Sequence, residues 1–338
     1  MDDNFQFHDA PPTPIVSGVD LTDDQIAAIE ASGGEVLWHG QMDQAHDGRT
    51  SLGRLPRLKE LMGRAEVWFG PGLSPKSLSQ VPRLRWWQAN AAGVEGLLSP
   101  ELVSSHIVLT NVRGMHATTT AEHAFAIMLA LARGIPGLVL SQSRSEWSPP
   151  PARDMTGLAS ARLLVLGTGA IGKAIAARGS AFGMVVSGVS RSGKPVPEFA
   201  KVSRAEDLTS EAASCDWLIV ACPLTAETRG LVSEKVIMAL RKDAMLVNVA
   251  RGAVIDEPSL VLALQSRAIR GAGLDVFAEE PLPPDSPLWK LPNALVTPHA
   301  GGVMPNYTNL AVEYFARNLA LYRRGEPLNN IVDKAAGY

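Results

Sequence analysis

Residues 162–182 decide the fold, and they read RLLVLGTGAIGKAIAARGSAF. A run of four apolar residues predicts a buried strand, and the pattern from Lys173 to Phe182 predicts a helix soon after it. Between them, Gly167 allows a tight turn, Gly169 lets a ligand approach the backbone, and Gly172 lets the helix pack closely on the strand. Glycine loops of this spacing also occur as ordinary turns. Because a strand precedes this loop and a helix follows it, the segment predicts a dinucleotide site with phosphates at the helix N-terminus.

Further apolar runs alternate with helical patterns downstream of this unit. Runs that are apolar on both faces are typical of parallel strands covered by helices on each side. We therefore predict a Rossmann-type, doubly wound α/β domain over residues 114–304. Its expected strands are Leu163 to Leu166, Val185 to Val189, Trp217 to Ala221, Met245 to Val249, Ala272 to Val276 and Ala294 to Val296.

A second, smaller α/β domain is predicted for residues 1–113 together with residues 305–338, because a helical pattern from Asn309 to Arg324 is expected to return to it. Thr22-Asp23-Asp24-Gln25 has the form of a capping box that opens a helix through Ala31. The expected strands of this domain are Pro14 to Gly18, Glu66 to Phe69, Leu84 to Gln88 and Ile107 to Leu109.

The segment between the two domains carries a second capping-box pattern. Thr119-Thr120-Ala121-Glu122 precedes the apolar run from Phe125 to Ala132, which predicts a long buried helix that links the domains or meets another subunit. The following stretch, Trp147-Ser148-Pro149-Pro150-Pro151, does not continue a helix and predicts an exposed connector.

Composition narrows the class of partner. The chain has 338 residues, a formal net charge of −3 and a pI near 6.2, so it has room for two cores and no strong field for nucleic acid or membrane. Cys215 and Cys222 indicate neither a disulfide framework nor a metal site. The start, Met1 to Asn4, lacks the pattern of a signal peptide, and no apolar span has bilayer length. We expect a cytoplasmic protein with a small-molecule partner.

The loop after the second predicted strand of the large domain indicates the cofactor. About 20 residues past the glycines, a carboxylate normally binds the ribose hydroxyls of NAD. Here residues 189–194 read VSRSGK, and no acid is present. The Arg191 fork and the hydroxyls of Ser190 and Ser192 suit a 2′-phosphate, so NADP is favoured and NAD remains possible. The alternative is a solvated arginine in a polar loop.

Three polar motifs follow predicted strands: NVARG at 248–252, LDVFAEEP at 274–281 and TPHAGG at 297–302. Parallel strands bring such motifs to one edge of the sheet. Arg251 offers a cation for a carboxylate or carbonyl oxygen, His299 an acid or base, and Glu280 a carboxylate for that histidine. Each residue alone also has an ordinary interpretation. Their joint placement downstream of a dinucleotide loop predicts 2-oxo acid reduction.

Together these motifs resemble the D-isomer-specific 2-hydroxyacid dehydrogenase family, which includes glyoxylate/hydroxypyruvate reductases and phosphoglycerate dehydrogenase. The likeness covers most of the chain. It includes LRWWQANAAGVE at 84–95, AEH at 121–123, the glycine loop, CPLT at 222–225, the three strand-end motifs and GEPL at 325–328. The resemblance implies a nicotinamide-dependent reductase of 2-oxo acids to D-2-hydroxy acids, with a flavodoxin-like substrate domain.

The resemblance also implies residue roles. His299 is similar to the family's proton donor, Glu280 to its carboxylate partner and Arg251 to its substrate-orienting cation. The amides of Ala92 and Gly93 match the loop that receives the substrate carboxylate. The sequence departs from the family shortly after this loop, where position 95 is Glu and Asp is common.

The implied cofactor contacts lie along the carboxyl edge of the large domain. Asp275 is similar to the residue that holds the nicotinamide carboxamide. The full set is Gly167, Gly169, Ala170, Ile171, Gly172, Ser190, Arg191, Ser192, Cys222, Pro223, Thr228, Val249, Ala250, Arg251, Asp275, His299 and Gly301. The resemblance further implies a homodimer built on the long helix after Thr120, with Trp147 as a candidate to reach the partner's site.

Two alternatives stay open. The same family includes a corepressor that binds protein partners in response to nucleotide, although this chain ends soon after its last predicted helix. Formate oxidation occurs on the same scaffold, but those enzymes pair the histidine with Gln where this chain has Glu280. Phosphite oxidation has no positive support. Glyoxylate and hydroxypyruvate are the leading substrates by resemblance, and the exact substrate depends on a pocket shaped by residues such as Trp68, Trp86 and Trp289, whose positions do not follow from the sequence.

Overall fold

A computed structural model describes residues 10–40, 56–149 and 155–338. The chain divides into unit 1, Met1–Met115 with Pro305–Tyr338, and unit 2, His116–Met304. Unit 1 continues past the predicted boundary at residue 113 because the turn is closed by the Met115 N–H, which donates to Val112 O at 3.1 Å. The N-terminal Met1 to Asn4 and the prolines at 150 and 151 lie outside the described residues.

Unit 1 is built on a five-stranded parallel sheet, as a flavodoxin-like domain requires. Its strand order is β2-β1-β3-β4-β5. The strands are β1 (Thr13–Ser17), β2 (Gly34–His39), β3 (Val67–Gly70), β4 (Trp86–Ala89) and β5 (Val108–Thr110). The first four helices are α1 (Asp23–Ala31), α2 (Pro56–Arg64), α3 (Pro75–Leu78) and α4 (Pro100–Ser104).

Local sequence explains the first helix of unit 1. The predicted capping box is confirmed, since Thr22 Oγ1 accepts from Gln25 N at 3.4 Å and Gln25 Oε1 accepts from Thr22 N at 3.0 Å. The last helix of the chain, Tyr307–Arg323, also packs in unit 1. There the ring of Phe315 stacks on Phe69 with centroids 4.6 Å apart, so the tail contributes to the unit 1 core.

Unit 2 contains a seven-stranded parallel sheet of the Rossmann type, in the order β12-β11-β10-β9-β6-β7-β8. Apolar clusters cover both of its faces, which confirms the doubly wound prediction. The strands are β6 (Arg162–Leu166), β7 (Val185–Ser190), β8 (Lys201–Arg204), β9 (Trp217–Val220), β10 (Met245–Asn248), β11 (Gly271–Leu274) and β12 (Ala294–Val296).

The helices of unit 2 are α5 (Ala117–Ala132), α6 (Ile135–Ser143), α7 (Ala170–Ala181), α8 (Leu208–Ala212), α9 (Glu234–Ala239) and α10 (Glu257–Gln265); with them counted, the helix Tyr307–Arg323 is α11. The predicted capping box at Thr119 is wrong. Helix α5 already begins at Ala117, so Thr119 lies inside its first turn and donates its hydroxyl to His116 O at 3.2 Å.

Helix α5 is largely buried, as its apolar run predicted. The connector that follows α6 is exposed from Trp147 to Pro149, where the described part ends. No single helix within the described ranges is long and apolar enough to cross a membrane, although α5 and α6, bent by 70°, pass by length and composition as a pair.

Candidate active site

All strands of the unit 2 sheet run parallel, so their carboxyl ends share one edge. The glycine loop follows β6, and the three polar motifs follow β10, β11 and β12. This edge is where open α/β sheets bind ligands. The sequence-predicted residues of unit 2 are therefore assembled along a single rim.

The glycine loop has the geometry of a phosphate cradle. Gly167 has φ +107°, and a Cβ there would lie 2.7 Å from the Ala221 carbonyl oxygen. A Cβ at Gly172 would lie 1.9 Å from the Gly167 carbonyl oxygen, so only glycine fits. At Gly169 the same Cβ would meet no described atom within 4 Å. Packing against the protein therefore requires glycine at positions 167 and 172, whereas Gly169 leaves space above the N-terminus of α7.

The N-terminus of α7 offers free backbone donors to that space. Gly169 is its N-cap and provides no side-chain hydrogen bond, while Ala170 and Ile171 form its first turn. A pyrophosphate fits this arrangement because the N–H groups and the helix dipole both favour negative charge. The residues present at the loop thus fit a dinucleotide.

The loop after β7 carries the predicted selectivity residues. Ser190 ends β7, and its Oγ accepts from Gly193 N at 3.1 Å, which folds the loop back on itself. Arg191 and Ser192 follow directly and are exposed. Ser192 Oγ accepts from Lys194 N at 3.3 Å. The loop therefore presents hydroxyls and a guanidinium at the edge of the sheet.

Further predicted cofactor residues lie after β9 and β10. Thr228 Oγ1 donates to Pro223 O at 2.7 Å and closes the turn that follows Cys222. Burial raises the pKa of the Cys222 thiol to about 12, so this group stays protonated and is not a nucleophile. Val249 and Ala250, which follow β10, are both buried.

The conformation of the Arg251 loop is set by Asn248. Asn248 Oδ1 accepts from Ala250 N at 3.0 Å, and its Nδ2 donates to Arg251 O at 3.0 Å. One guanidinium nitrogen of Arg251 donates to Ala250 O at 2.7 Å, which restrains the side chain. Gly252 packs so tightly against Phe277 that a Cβ there would lie 1.8 Å from its carbonyl carbon. This packing locks the β10 loop to the β11 loop.

Glu280 and His299 form the central pair of the site. His299 Nδ1 donates to Glu280 Oε2 at 2.7 Å, and the other carboxylate oxygen, Oε1, accepts from Phe277 N at 2.9 Å. The histidine side chain is 47% exposed. Because Nδ1 is bound to the carboxylate, the imidazole presents Nε2 for proton exchange.

A buried carboxylate holds the loop that carries His299. Asp275 is 2% exposed, and its Oδ1 accepts from Ala300 N at 2.8 Å and from Thr297 Oγ1 at 2.6 Å. Its Oδ2 accepts from Gly301 N at 2.9 Å. His123, from α5, donates from Nε2 to Asp275 Oδ1 at 3.0 Å. Both oxygens of Asp275 therefore bind the protein, and contact with a carboxamide remains a prediction.

Sequence reasoning assigned no role to two histidines beside this site. His123 appeared only within a motif of the resemblance. Its role depends on a hydrogen bond to the buried Asp275, a contact that the sequence does not reveal. His116 precedes α5 and packs near the His299 loop, since a Cβ at Gly302 would lie 3.4 Å from its Cδ2. Burial, and then the charge of Arg251, lower the pKa of His116 below its ordinary value. His116 is therefore an uncharged neighbour of the candidate cation.

The predicted substrate residues Ala92 and Gly93 belong to unit 1, in the loop after β4. The Ala92 carbonyl accepts from Asn111 Nδ2 at 2.8 Å, which anchors this loop. Trp68 and Trp86 are fully buried in unit 1, so they serve its core and the expectation that they shape a pocket is wrong. Trp289 is half exposed in unit 2.

Comparison with known proteins decides the family. Residues 125–301 match the family model described as D-isomer specific 2-hydroxyacid dehydrogenase, NAD binding domain. The chain belongs to this family. Family membership gives the reaction class, which is the nicotinamide-dependent interconversion of 2-oxo acids and 2-hydroxy acids. Among residues the structure describes, no three His, Cys, Asp or Glu side chains are grouped as a metal site.

Relatives extend the likeness to nearly the whole dehydrogenase. Glyoxylate/hydroxypyruvate reductase A of Citrobacter koseri is 32% identical over 308 residues, 89% of this chain and 96% of that protein. Glyoxylate reductase of Thermococcus litoralis is 34% identical over 263 residues, 76% and 79% of the two chains. A solved D-isomer specific 2-hydroxyacid dehydrogenase from Xanthobacter autotrophicus, in complex with NADPH and MES, has a TM-score of 0.80 at 29% identity. It covers 97% of this chain and 100% of that one.

Proposed function

We propose that this dehydrogenase is an NADPH-preferring reductase of small 2-oxo acids, with glyoxylate and hydroxypyruvate as substrates and D-2-hydroxy acids as products. Arg251, Glu280 and His299 are its catalytic residues. The observation that carries the proposal is the 2.7 Å hydrogen bond between His299 Nδ1 and Glu280 Oε2 at the rim that also holds the glycine loop. A histidine oriented in this way is built to give a proton from Nε2.

The residues divide the chemistry between them. The nicotinamide cofactor, when bound, supplies the hydride. Arg251 binds the carboxylate of the 2-oxo acid and stabilises negative charge on the carbonyl oxygen. His299 donates its Nε2 proton to that oxygen, and Glu280 stabilises the imidazolium form that the reduction needs. In the oxidation, neutral His299 takes the proton back.

The loop after Ala91, in unit 1, offers backbone donors. The amides of Ala92 and Gly93 donate no hydrogen bond within residues 10–40, 56–149 and 155–338, which leaves them for the substrate carboxylate. Such backbone donors bind an anion without a further charge. We assign them to substrate binding by the resemblance and by this availability.

The cofactor preference rests on the loop after β7. Ser190, Arg191 and Ser192 present two hydroxyls and a guanidinium where NAD-selective relatives carry an acid, and an arginine fork matches a phosphate. The NADPH bound by the Xanthobacter autotrophicus dehydrogenase is consistent with this preference.

A homodimer and a cytoplasmic location complete the proposal. Helix α6 exposes Ile135, Val139 and Leu140 by 43%, 55% and 59%, and Trp147 beyond it is 99% exposed. A second copy of the chain would cover these apolar side chains, which ordinarily avoid water. Trp147 is the side chain we expect to reach the partner's site.

Steady-state kinetics test the proposal. We expect turnover of glyoxylate and hydroxypyruvate with a higher kcat/KM for NADPH than for NADH. Arg191→Ala should lose about 1.5–3 kcal/mol of binding to the 2′-phosphate, a tenfold or greater fall in NADPH preference. Arg317→Ala, which removes an exposed arginine paired with Glu313 on the same helix, is the matched control. Equal use of NADH would refute the preference. Nucleotide binding without turnover of any 2-oxo acid would favour the corepressor-like alternative.

A further inference from the structure

A cavity lies in unit 1, away from the Ala92–Gly93 loop. It has a volume of about 790 Å³ and opens at the amino edge of the sheet, where strands β1, β3, β4 and β5 begin. The Ala92–Gly93 loop follows the other end of β4, and four strand residues span about 13 Å. Its polar lining is Arg64, Glu66, Arg83, Arg85, His106 and Tyr322.

The backbone fixes the floor of this cavity. Glu66 N donates to Pro14 O at 3.0 Å, Arg85 N donates to Glu66 O at 2.9 Å, and Val108 N donates to Arg85 O at 2.9 Å. These bonds join the starts of four adjacent strands, whose spacing is about 4.8 Å. Glu66 and Arg85 are therefore side by side on neighbouring strands, independent of any ligand.

The described residues of this lining carry more positive than negative charge. The guanidinium groups of Arg64, Arg83 and Arg85 make no hydrogen bond or ion pair with any residue that the structure describes, and Glu66 is the one carboxylate among the described residues that line the cavity. Three guanidinium groups and one carboxylate line the cavity, so these four groups together carry a net charge of +2. The whole chain has a net charge of −3, which makes this concentration of positive charge a local feature.

Tyr322 holds the single carboxylate in place. Its hydroxyl donates to Glu66 Oε1 at 2.5 Å, and its ring stacks on Trp86 with centroids 5.4 Å apart. Burial, and then the hydrogen bond to Glu66, raise the pKa of Tyr322, so the hydroxyl keeps its proton. The carboxylate is turned toward the tyrosine. The guanidinium groups of Arg64, Arg83 and Arg85 remain as donors for a ligand.

We propose that this cavity binds a small oxyanion with two or more phosphate or carboxylate groups, through the guanidinium groups of Arg64, Arg83 and Arg85. A guanidinium fork binds both kinds of group in the same bidentate way. A multiply charged anion matches the charge of the lining. A 2-oxo acid with one carboxylate does not, so the cavity is distinct in chemistry from the substrate site.

Calorimetric titration tests this site in the full-length protein saturated with NADP, at constant ionic strength. The probes are pyrophosphate and citrate, with acetate as the singly charged control. We expect pyrophosphate or citrate to bind and acetate not to bind. The tighter of the two identifies phosphate or carboxylate as the preferred group. Failure of both to bind wild-type protein would overturn the proposal.

A pair of charge-matched variants shows where the anion binds. Arg83→Ala/Arg85→Ala and Arg317→Ala/Arg324→Ala each change the formal net charge from −3 to −5. The first should weaken binding about tenfold or more, because it removes charge-assisted contacts, and the second should leave it unchanged. Equal losses in both variants would mean surface charge only and would refute the site. The kcat/KM for the 2-oxo acid should stay unchanged in both, which also shows that they fold.

Discussion

Two alanine substitutions in the glycine loop are expected to change stability in opposite directions. Gly169 has φ −76° and ψ −164°, which any residue adopts, and a Cβ there would meet no described atom within 4 Å. Gly172 has no such room, since its Cβ would lie 1.9 Å from the Gly167 carbonyl oxygen. A methyl group therefore has room at position 169 and would clash with the backbone at position 172.

The magnitudes follow from these geometries. Gly169→Ala should raise the free energy of unfolding by about 0.4–1 kcal/mol, because alanine restricts the unfolded chain and fits the native backbone. Its methyl group would occupy the approach to the N-terminal amides of α7. Losing one charge-assisted hydrogen bond, about 1.5–3 kcal/mol, raises the Kd for NADPH roughly ten- to a hundredfold. Gly172→Ala should lower the free energy of unfolding by about 1–3 kcal/mol or more through overpacking.

The assay combines urea denaturation without nucleotide and a fluorescence titration with NADPH. Gly169→Ala is the informative variant, because a more stable protein with weaker nucleotide binding has no explanation in damaged folding. Wild-type affinity for NADPH in Gly169→Ala would remove the glycine loop from the cofactor site. A loss of stability as large as that of Gly172→Ala would contradict the open space at this position.

Three further changes test the rest of the site. Glu280→Gln keeps the size of the side chain but removes the negative charge bound to His299 Nδ1, so reduction should lose activity at a lower pH than in wild type and the rising limb of oxidation should move the same way; pH-rate profiles that do not move would exclude this role. The pKa of His116 is lowered from 6.5 in the folded protein, so the unfolded state binds more protons below that pH and stability falls on acidification. The free energy of unfolding should therefore fall less between pH 7 and pH 5 in His116→Gln than in wild type or in the exposed control His106→Gln, and an equal fall would refute this linkage. Asp275→Asn should lower the free energy of unfolding by about 1–3 kcal/mol because an amide NH2 donor replaces one of the two oxygens that accept from the loop; unchanged urea denaturation would show that the carboxylate does not hold the loop.

The parts of the fold predicted from sequence are those whose signal is carried by one continuous segment. Strand β6, the glycine loop and α7 were predicted because an apolar run, glycine spacing and a helical pattern follow one another within residues 162–182. Strands β2 and β8 were not. Each lies at an edge of its sheet, and β8 reads KVSR with one residue in four buried, so β8 lacks the apolar run of a central strand, whereas β2 carries the run Val36 to Trp38 and was missed.

The two capping-box patterns show why local motifs do not settle a helix start. Thr22 forms the predicted reciprocal hydrogen bonds with Gln25, and α1 begins at the next residue. Thr119 has the same spacing to Glu122, yet α5 begins before it, and Glu122 instead accepts from Arg178 of α7. The Glu122 carboxylate thus binds a side chain of another helix and does not cap α5. The same four-residue pattern therefore marks the start of α1 but not that of α5, and a contact with α7 distinguishes the two cases.

The candidate acid was recognised by its motif, but its support came from residues that no motif joins. His299 has φ +51°, a conformation that costs a non-glycine residue about 1–3 kcal/mol unless its surroundings hold it. Its own N–H donates to Asp275 O at 2.8 Å, and the Asp275 carboxylate binds the next two backbone amides and His123 from α5. Glu280 orients the ring, while this buried carboxylate holds the backbone that carries it. The position of the candidate proton donor thus depends on a helix more than 150 residues earlier in the chain, since His123 and Asp275 are separated by 152 residues.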